Sequence, residues 1–324
     1  MRTITVGLVL LLSATLVAQQ PAFKSGVALV RIPVSVTQGA MPVQPGVLTA
    51  ADFTVTEDGR RQQVTLFERE SLPLSVCVVF DTSGSMIEGP TEQLALAALR
   101  EMLTQLLPED EVAVVAFAET VELVTPWTPA PKLTAARIRM KASGSTSLND
   151  GVMKALEVID QASNPRRVIL LITDGGENSS RTQLARMVRT RRQSETEVYA
   201  FHITPAVTRF RPAPLTPNPA GIDQMGPEPR ASGSYMPGLL HLPPTMEDIV
   251  GDSGGVVYEL TIREESAKVA RAFVEDLRFQ YTLGYEPSKA MDGKYRRVKV
   301  ETRKRGYKIR HRGGYLALGL EPVK

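Results

Sequence analysis

The chain has 324 residues, enough for one large domain and a smaller one. Its hydrophobic content of 43% and charged content of 23% are ordinary for a soluble globular protein. A net charge of +3 is too small to indicate a polyanionic partner by itself, and a single cysteine excludes an internal disulfide. That residue, Cys77, lies in an apolar run, which predicts a buried and inert thiol.

Residues 1–20 predict an export signal. Arg2 gives a positive start, and residues 4–18 form an apolar run shorter than the roughly 20 residues that span a bilayer. Cleavage is expected near residues 18–20, which would make the protein periplasmic, envelope-bound or secreted. The alternative is that the segment is retained as an N-terminal membrane anchor.

Residues 24–70 predict a β segment that is too small to bury a core alone. Residues 27–36 are rich in β-branched side chains. Residues 53–56 and 63–67 predict two further strands, and Asp58-Gly59 between them is a strong hairpin signal. We therefore expect these two strands to pair with each other.

From residue 72 to 277, strands and helices alternate. Residues 73–80 and 168–173 are continuous apolar runs, typical of strands covered on both faces. Other strands are expected at 112–118, 121–124, 198–203 and 255–260, and helices at 91–107, 133–140, 148–159, 183–192 and 262–277. This alternation predicts an α/β fold with a doubly wound, mostly parallel, Rossmann-like sheet.

Residues 204–244 interrupt the alternation. They contain ten of the chain's 23 prolines and show no sustained periodicity. We expect a mobile insertion that begins where a sheet strand ends, with a structured insertion as the alternative.

Residues 278–317 return to a strand pattern. Strands are expected at 280–284, 295–302 and 307–310, separated by turn-rich stretches. Since neither terminal β segment can bury a core alone, we predict that 24–70 and 278–317 form one split β-sandwich.

Polar side chains follow the first buried strand directly. Asp81, Ser83 and Ser85 alternate in a short loop, and Gly84 permits a sharp path there. Ligand sites in doubly wound sheets lie at the carboxyl ends of strands. A carboxylate and two hydroxyls are hard oxygen donors, which suit magnesium, manganese or calcium better than zinc or copper.

Two later loops offer matching donors. Thr146 lies in a small-residue loop before a predicted helix, and Asp174 ends the next buried strand. The alternative is that such residues only cap helices and shape turns. We prefer that alternative for two neighbours, Ser147 and Asp150, which we expect to start the helix. Glu177 and Asn178 lie close to Asp174 in sequence, but exposure to solvent in a loop explains these polar residues at least as well as a role in the site.

The order Asp-x-Ser-x-Ser, loop threonine, strand-terminal aspartate resembles the metal-ion-dependent adhesion site (MIDAS) of von Willebrand factor type A domains. The resemblance covers about residues 72–277 and matches all five positions. It implies a Mg²⁺ ion, with Mn²⁺ or Ca²⁺ as alternatives, and an open coordination position that takes a carboxylate from a protein partner. The ion would be held through the hydroxyls of Ser83, Ser85 and Thr146, and directly or through water by Asp81 and Asp174.

Enzyme classes fit these residues less well. A haloacid-dehalogenase-like phosphatase needs a second acid where this chain has Ser83. The chain has no nucleophile elbow and no phosphate-binding loop. We expect core or surface roles for the three histidines, His202, His241 and His311. A metal-dependent hydrolase is therefore the least favoured function.

Residues 294–312 carry ten Lys or Arg residues against one acid, Glu301. Such a face could attract acidic lipid, polysaccharide or nucleic acid. We prefer the interpretation that these are charged strands that discourage edge-to-edge aggregation. The predicted export argues further against nucleic acid as a partner.

The flanking β segments resemble a narrower group of exported bacterial proteins, associated particularly with acidobacteria. The shared features are Asp52-Phe53-Thr54-Val55, Glu57-Asp58-Gly59, Tyr281 to Tyr285 and Arg312-Gly313-Gly314-Tyr315. We predict an exported, non-enzymatic binding or adhesion protein that recognises an acidic group on a protein partner. The alternative is a structural or assembly component of the cell envelope whose metal site is stabilising or vestigial.

Overall fold

The computed structural model describes residues 29–39, 41–44, 46–69, 72–87, 90–135, 144–204, 246–261 and 265–318. The predicted signal at 1–20 lies outside these ranges, as do residues 205–244 of the predicted insertion. Most of the predicted helix at 133–140 does too. Within the described residues, no helix is long and apolar enough to cross a membrane.

The secondary structure follows the predicted alternation. In chain order the strands are β1 (Val30–Gln38), β2 (Met41–Pro42), β3 (Phe53–Glu57), β4 (Arg60–Gln62), β5 (Val64–Glu68), β6 (Leu74–Asp81), β7 (Glu111–Phe117), β8 (Val121–Pro129), β9 (Arg166–Thr173), β10 (Glu197–Ile203), β11 (Val257–Leu260), β12 (Gln280–Tyr285), β13 (Tyr295–Thr302), β14 (Tyr307–His311) and β15 (Gly314–Leu316). The α-helices are α1 (Gly84–Ile87), α2 (Pro90–Gln105), α3 (Leu148–Ile159), α4 (Leu184–Gln193), α5 (Met246–Val250) and α6 (Ser266–Arg278).

The central sheet has six strands in the order β11-β10-β9-β6-β7-β8. Every neighbouring pair is parallel except β7 with β8. Strand β6 is buried along its whole length. Its alternate residues feed two hydrophobic clusters, Val76 and Val78 with α2 and α6, and Cys77 and Val79 with α3. The predicted doubly wound, mostly parallel sheet is confirmed.

Strands from both ends of the chain form the predicted β-sandwich. One sheet has the order β14-β1-β12-β5, with β2 added to β1, and the other has the order β15-β13-β3-β4. Strand β1 lies between two strands from the C-terminal part of the chain. The two sheets share one hydrophobic core that includes Ile32, Val34, Val55, Tyr281 and Val300. The predicted fold class is thus confirmed in both of its parts.

The predicted hairpin partner of β3 is wrong. Asp58 and Gly59 do form the turn, with φ of +47° and +80°, but the turn joins β3 to the short strand β4. Strand β5 crosses to the other sheet and pairs with β12. The turn signal is local in sequence, whereas this pairing joins residues more than 200 positions apart.

Part of the basic run is buried, contrary to its predicted role along exposed edges. Strand β13 lies inside its sheet, and Arg296 on it is only 3% exposed and paired with Glu57. Arg310 joins the sandwich to the α/β unit, because it pairs with Asp276 of α6 and donates to Ser35 of β1 at 2.8 Å. Arg296 therefore stabilises the interior, whereas Arg310 ties the outermost strand of its sheet to the α/β unit.

Candidate metal site

Three loops meet at the carboxyl edge of the central sheet. They follow β6, precede α3 and follow β9, and β6 and β9 are parallel neighbours. A Cβ atom built on Gly84 would lie 3.9 Å from the Cα atom of Gly144, so the first two loops touch. A Cβ atom built on Gly176 would lie 3.3 Å from Oδ1 of Asp174 and 3.4 Å from Oγ1 of Thr146. The structure therefore brings together the loops that carry all five predicted ligands.

Asp81 lies at the centre of this arrangement and is fully buried. Its Oδ1 accepts the backbone N–H of Ser83 at 2.9 Å, and its Oδ2 accepts the hydroxyl of Thr173 at 2.6 Å. Burial raises the pKa of Asp81 to about 6, the nearby charge of Asp174 adds to that rise, and the bonds from Thr173 and Ser83 oppose it. Both donors are neutral, and within the described residues Asp81 has no cationic partner.

The two serines converge as their spacing predicts. Their hydroxyl oxygens lie 3.3 Å apart, with Ser83 buried and Ser85 exposed. The loop is held by Thr82, whose N–H donates to the Phe117 carbonyl at 2.8 Å, and by the fully buried side chain of Met86. The serines thus form a donor pair that extends from the buried Asp81 towards solvent.

Thr146 is held by its backbone. Its N–H donates to Oδ1 of Asn178 at 2.8 Å, and its carbonyl accepts the N–H groups of Asn178 and Ser179 at 3.0 and 3.1 Å. Since these three bonds fix the main chain, the Thr146 side chain has a defined place beside Gly176. Asn178 is an exposed loop residue, as the sequence allowed, and its amide oxygen also holds the Thr146 main chain in place.

Asp174 is partly exposed, and its loop is tied at three points. Its Oδ1 accepts the N–H of Gly176 at 3.1 Å, and its carbonyl lies 3.1 Å from Nε2 of His202. The preceding residue, Thr173, accepts the N–H of Gly175 at 3.0 Å while donating to Asp81. Thr173 thus links the Asp81 carboxylate to the backbone of the Asp174 loop through one hydroxyl.

Ser147 is the N-cap residue of helix α3, which begins where predicted, but no side-chain hydrogen bond from Ser147 caps the helix. The N–H groups of Asn149 and Asp150 are satisfied by Glu177 at 2.9 Å and by Ser180 at 3.2 Å. Asp150 accepts the N–H groups of Arg181 and Thr182 at 2.8 and 2.9 Å. The loop after Asp174 thus caps helix α3. Asp150 of the helix holds the same loop in return.

Sequence reasoning missed Thr173, Asn178 and His202 as supporting residues. Thr173 could have been found, because it follows Ile172 as Asp81 follows Phe80, and parallel pairing of these two strands places Thr173 beside Asp81. His202 carries no local motif, and it reaches the site because β10 places it beside Thr173. His311 instead lies in the sandwich, where its Nε2 accepts the N–H of Val300 at 3.0 Å. His241 is outside the described residues.

The donors suit a hard divalent cation. Two carboxylates and three hydroxyls offer only oxygen, which magnesium and calcium prefer. In the part of the chain that the structure describes, no three His, Cys, Asp or Glu side chains gather as a metal cluster. A cation at this edge would meet hydroxyls as well as carboxylates, and the buried Asp81 would supply charge that its neutral neighbours do not balance.

Comparison with known proteins agrees with the fold. Residues 76–177 match the family model for the von Willebrand factor type A domain, and this range includes all five candidate ligands. By this match, residues 76–177 are a von Willebrand factor type A domain. The matched range runs from β6 to the loop after β9, and the narrower exported bacterial group stays a prediction.

The relatives resemble only part of the chain. Human inter-alpha-trypsin inhibitor heavy chain H3 is 28% identical over 169 residues, which cover 44% of this chain and 19% of that protein. An uncharacterised Synechocystis protein is 32% identical over 108 residues, covering 32% of this chain and 26% of that protein. A solved von Willebrand factor type A structure from Catenulispora acidiphila is 15% identical with a TM-score of 0.45, covering 90% of this chain and 72% of that one. The chain thus spans about a fifth to a quarter of the length of these two curated relatives.

Proposed function

We propose that the type A domain binds a divalent cation, Mg²⁺ first among the candidates, and uses it to recognise a carboxylate on a protein partner. The ligands would be the five residues named from the sequence: Asp81, Ser83, Ser85, Thr146 and Asp174. The observation that carries the proposal is the buried Asp81 carboxylate, which has only neutral donors among the described residues. A carboxylate in that setting is costly unless a cation accompanies it.

The protein's own residues would divide the work. Asp81 supplies a buried anion whose position is fixed by Ser83 and Thr173, and Asp174 supplies the second anion at the rim. The exposed Ser85 places a neutral donor where a partner would arrive. The ion would keep enough positive charge to accept a carboxylate oxygen, since two carboxylates roughly neutralise it and the other protein donors are uncharged.

A binding role suits these groups better than catalysis. Type A domains commonly act as protein-interaction modules, and the match over residues 76–177 supports such a role. The sequence has no nucleophile elbow and no phosphate-binding loop, and the site's described polar groups hold loops in place. We extend the proposal to an adhesion protein that acts outside the cytoplasm, which rests on the export signal predicted at residues 1–20.

The test is cation-dependent capture of proteins from an envelope extract by the immobilised chain. Wild type, Asp81→Asn and a matched control, Asp160→Asn, would be compared with Mg²⁺ and with EDTA. Asp160 is an exposed aspartate at the other end of helix α3. We expect wild type and the control to capture the same proteins only with Mg²⁺, and Asp81→Asn to capture none of them. Capture that survives both EDTA and Asp81→Asn would contradict the proposal and favour the structural envelope alternative.

A further inference from the structure

His202 bridges the candidate metal site and the edge of the central sheet. Its Nε2 lies 3.1 Å from the Asp174 carbonyl oxygen, and its Nδ1 lies 3.0 Å from each carboxylate oxygen of Glu259. A carbonyl oxygen only accepts, so Nε2 is the donor in the bond to Asp174. The imidazole therefore has an acceptor at each end, and its ring orientation is fixed.

The contact with the Asp174 loop is close. Gly175 has φ of +86°, and a Cβ atom at that position would lie 3.1 Å from Nε2 of His202. Glycine thus serves two needs here, a left-handed turn and the approach of the imidazole. The peptide unit between Asp174 and Gly175 packs against the ring.

This packing determines where the Asp174 carboxylate points. The residue is held at its carbonyl by His202 and at Oδ1 by the N–H of Gly176. With the carbonyl and Oδ1 both held, the Asp174 carboxylate keeps one direction beside Thr146. Loss of the His202 bond would free the peptide unit to rotate and would blur that direction.

Glu259 orients His202 in turn. The two residues are register partners on the parallel strands β10 and β11. Thr204, directly after β10, donates its hydroxyl to Oε2 of Glu259 at 3.0 Å. A continuous set of hydrogen bonds thus runs from Thr204 through Glu259 and His202 to Asp174.

We infer that His202, oriented by Glu259, is a positioning residue for the metal ligand Asp174 and raises the affinity of the site for divalent cations. This inference rests on the proposed function, since it assumes that the five residues bind a cation. Residues that hydrogen-bond to a metal ligand without contacting the metal commonly contribute tenfold or more to metal affinity.

The test is calorimetric titration of the full chain with Mn²⁺ at one fixed pH. We expect His202→Leu to bind Mn²⁺ about tenfold more weakly than wild type, because it removes the donor to Asp174. His202→Gln places an amide N–H near the Nε2 position and should bind within about threefold of wild type. Glu259→Gln should weaken binding by an intermediate factor. The matched control is His311→Gln, which removes a histidine from the sandwich and should leave Mn²⁺ affinity unchanged.

A purely structural role would give a different pattern. The unfolding midpoints of all variants would be measured in EDTA, and only the folded protein would be titrated. Unchanged Mn²⁺ affinity in His202→Leu would overturn the positioning role while leaving the metal site intact. Wild type that binds no Mn²⁺ would overturn both the inference and the proposed function. Equal weakening in His202→Leu and His202→Gln would also contradict the inference, because the donor would then not matter.

Discussion

Two buried carboxylates, one in each part of the molecule, are accommodated in different ways. Glu57 in the sandwich is 1% exposed and accepts the hydroxyls of Tyr285 and Tyr315 at 2.9 and 2.8 Å. It also pairs with the buried Arg296 at 3.3 Å. Asp81 in the type A domain is fully buried too, yet its donors are a hydroxyl and a backbone N–H.

The difference shows which carboxylate is satisfied by the protein alone. Glu57 has its counter-charge within the fold, so its network serves stability. Asp81 has hydrogen bonds but no counter-charge among the described residues, so its setting favours an external cation. This contrast separates a structural carboxylate from a functional one more clearly than burial does.

The largest expected effect on stability comes from breaking the ion pair between Glu57 and Arg296. Arg296→Met should lower the free energy of unfolding by about 3–5 kcal/mol, because it leaves Glu57 buried without its cation. Urea unfolding measures the change. The control Arg297→Met removes the neighbouring exposed arginine of β13 and should change stability by less than about 0.5 kcal/mol. A loss below about 1 kcal/mol for Arg296→Met would mean that Glu57 does not need its cation.

Binding of a cation at the Asp81 site should have the next largest effect on stability. With Mg²⁺ at 100 times its dissociation constant, the free energy of unfolding should rise by about 2.7 kcal/mol. Asp81→Asn should abolish this increment, and Asp160→Asn should keep it. The measurement is urea unfolding in Mg²⁺ and in EDTA. An equal increment in Asp81→Asn would place the bound ion elsewhere.

The loop behind the site should matter less. Glu177→Ala removes the acceptor for the N–H groups of Asn149 and Ser180, each bonded at 2.9 Å. It should cost about 1–2 kcal/mol of unfolding free energy, as for the loss of a helix cap. The control Glu157→Ala lies on the exposed face of α3, the helix that Glu177 caps. It should change stability by less than about 0.5 kcal/mol. Equal effects would show that Glu177 is not a cap.

The smallest expected effect comes from removing the Asp81 carboxylate in the absence of a metal ion, and it is not a loss of stability. In EDTA at neutral pH, Asp81→Asn should leave stability unchanged or raise it by about 1 kcal/mol, because it removes a buried charge that lacks a counter-charge. Glu57→Gln should instead destabilise the protein, because it removes the buried one of the two carboxylate partners of Arg296. Chemical unfolding in EDTA compares the two variants. Equal destabilisation would erase the contrast between the two carboxylates.

The sequence predicted those parts of the molecule whose signals are local. The apolar run of β6 and the polar loop after it place Asp81, Ser83 and Ser85 within five residues of one another. Helix α3 begins and ends where its periodicity predicts. The central sheet then follows from the alternation of strands and helices, because parallel strands need crossovers.

The remaining features depend on residues far apart in the chain. Strand β5 pairs with β12 across more than 200 positions, which no turn signal encodes. His202 reaches Asp174, and Glu177 caps α3, only after the sheet has brought their loops together. Arg296 and Arg310 look like surface charges in sequence, but Arg296 is buried against Glu57 and Arg310 is half-buried against Asp276.

The central claim is that the chain binds one divalent cation through Asp81, and titration of the metal-free protein with Mn²⁺ tests it most directly. Wild type and Asp160→Asn should each bind one ion per chain, and Asp81→Asn should bind none at the same concentrations. Wild type that binds no ion, or Asp81→Asn that binds one as tightly as wild type, would contradict the account.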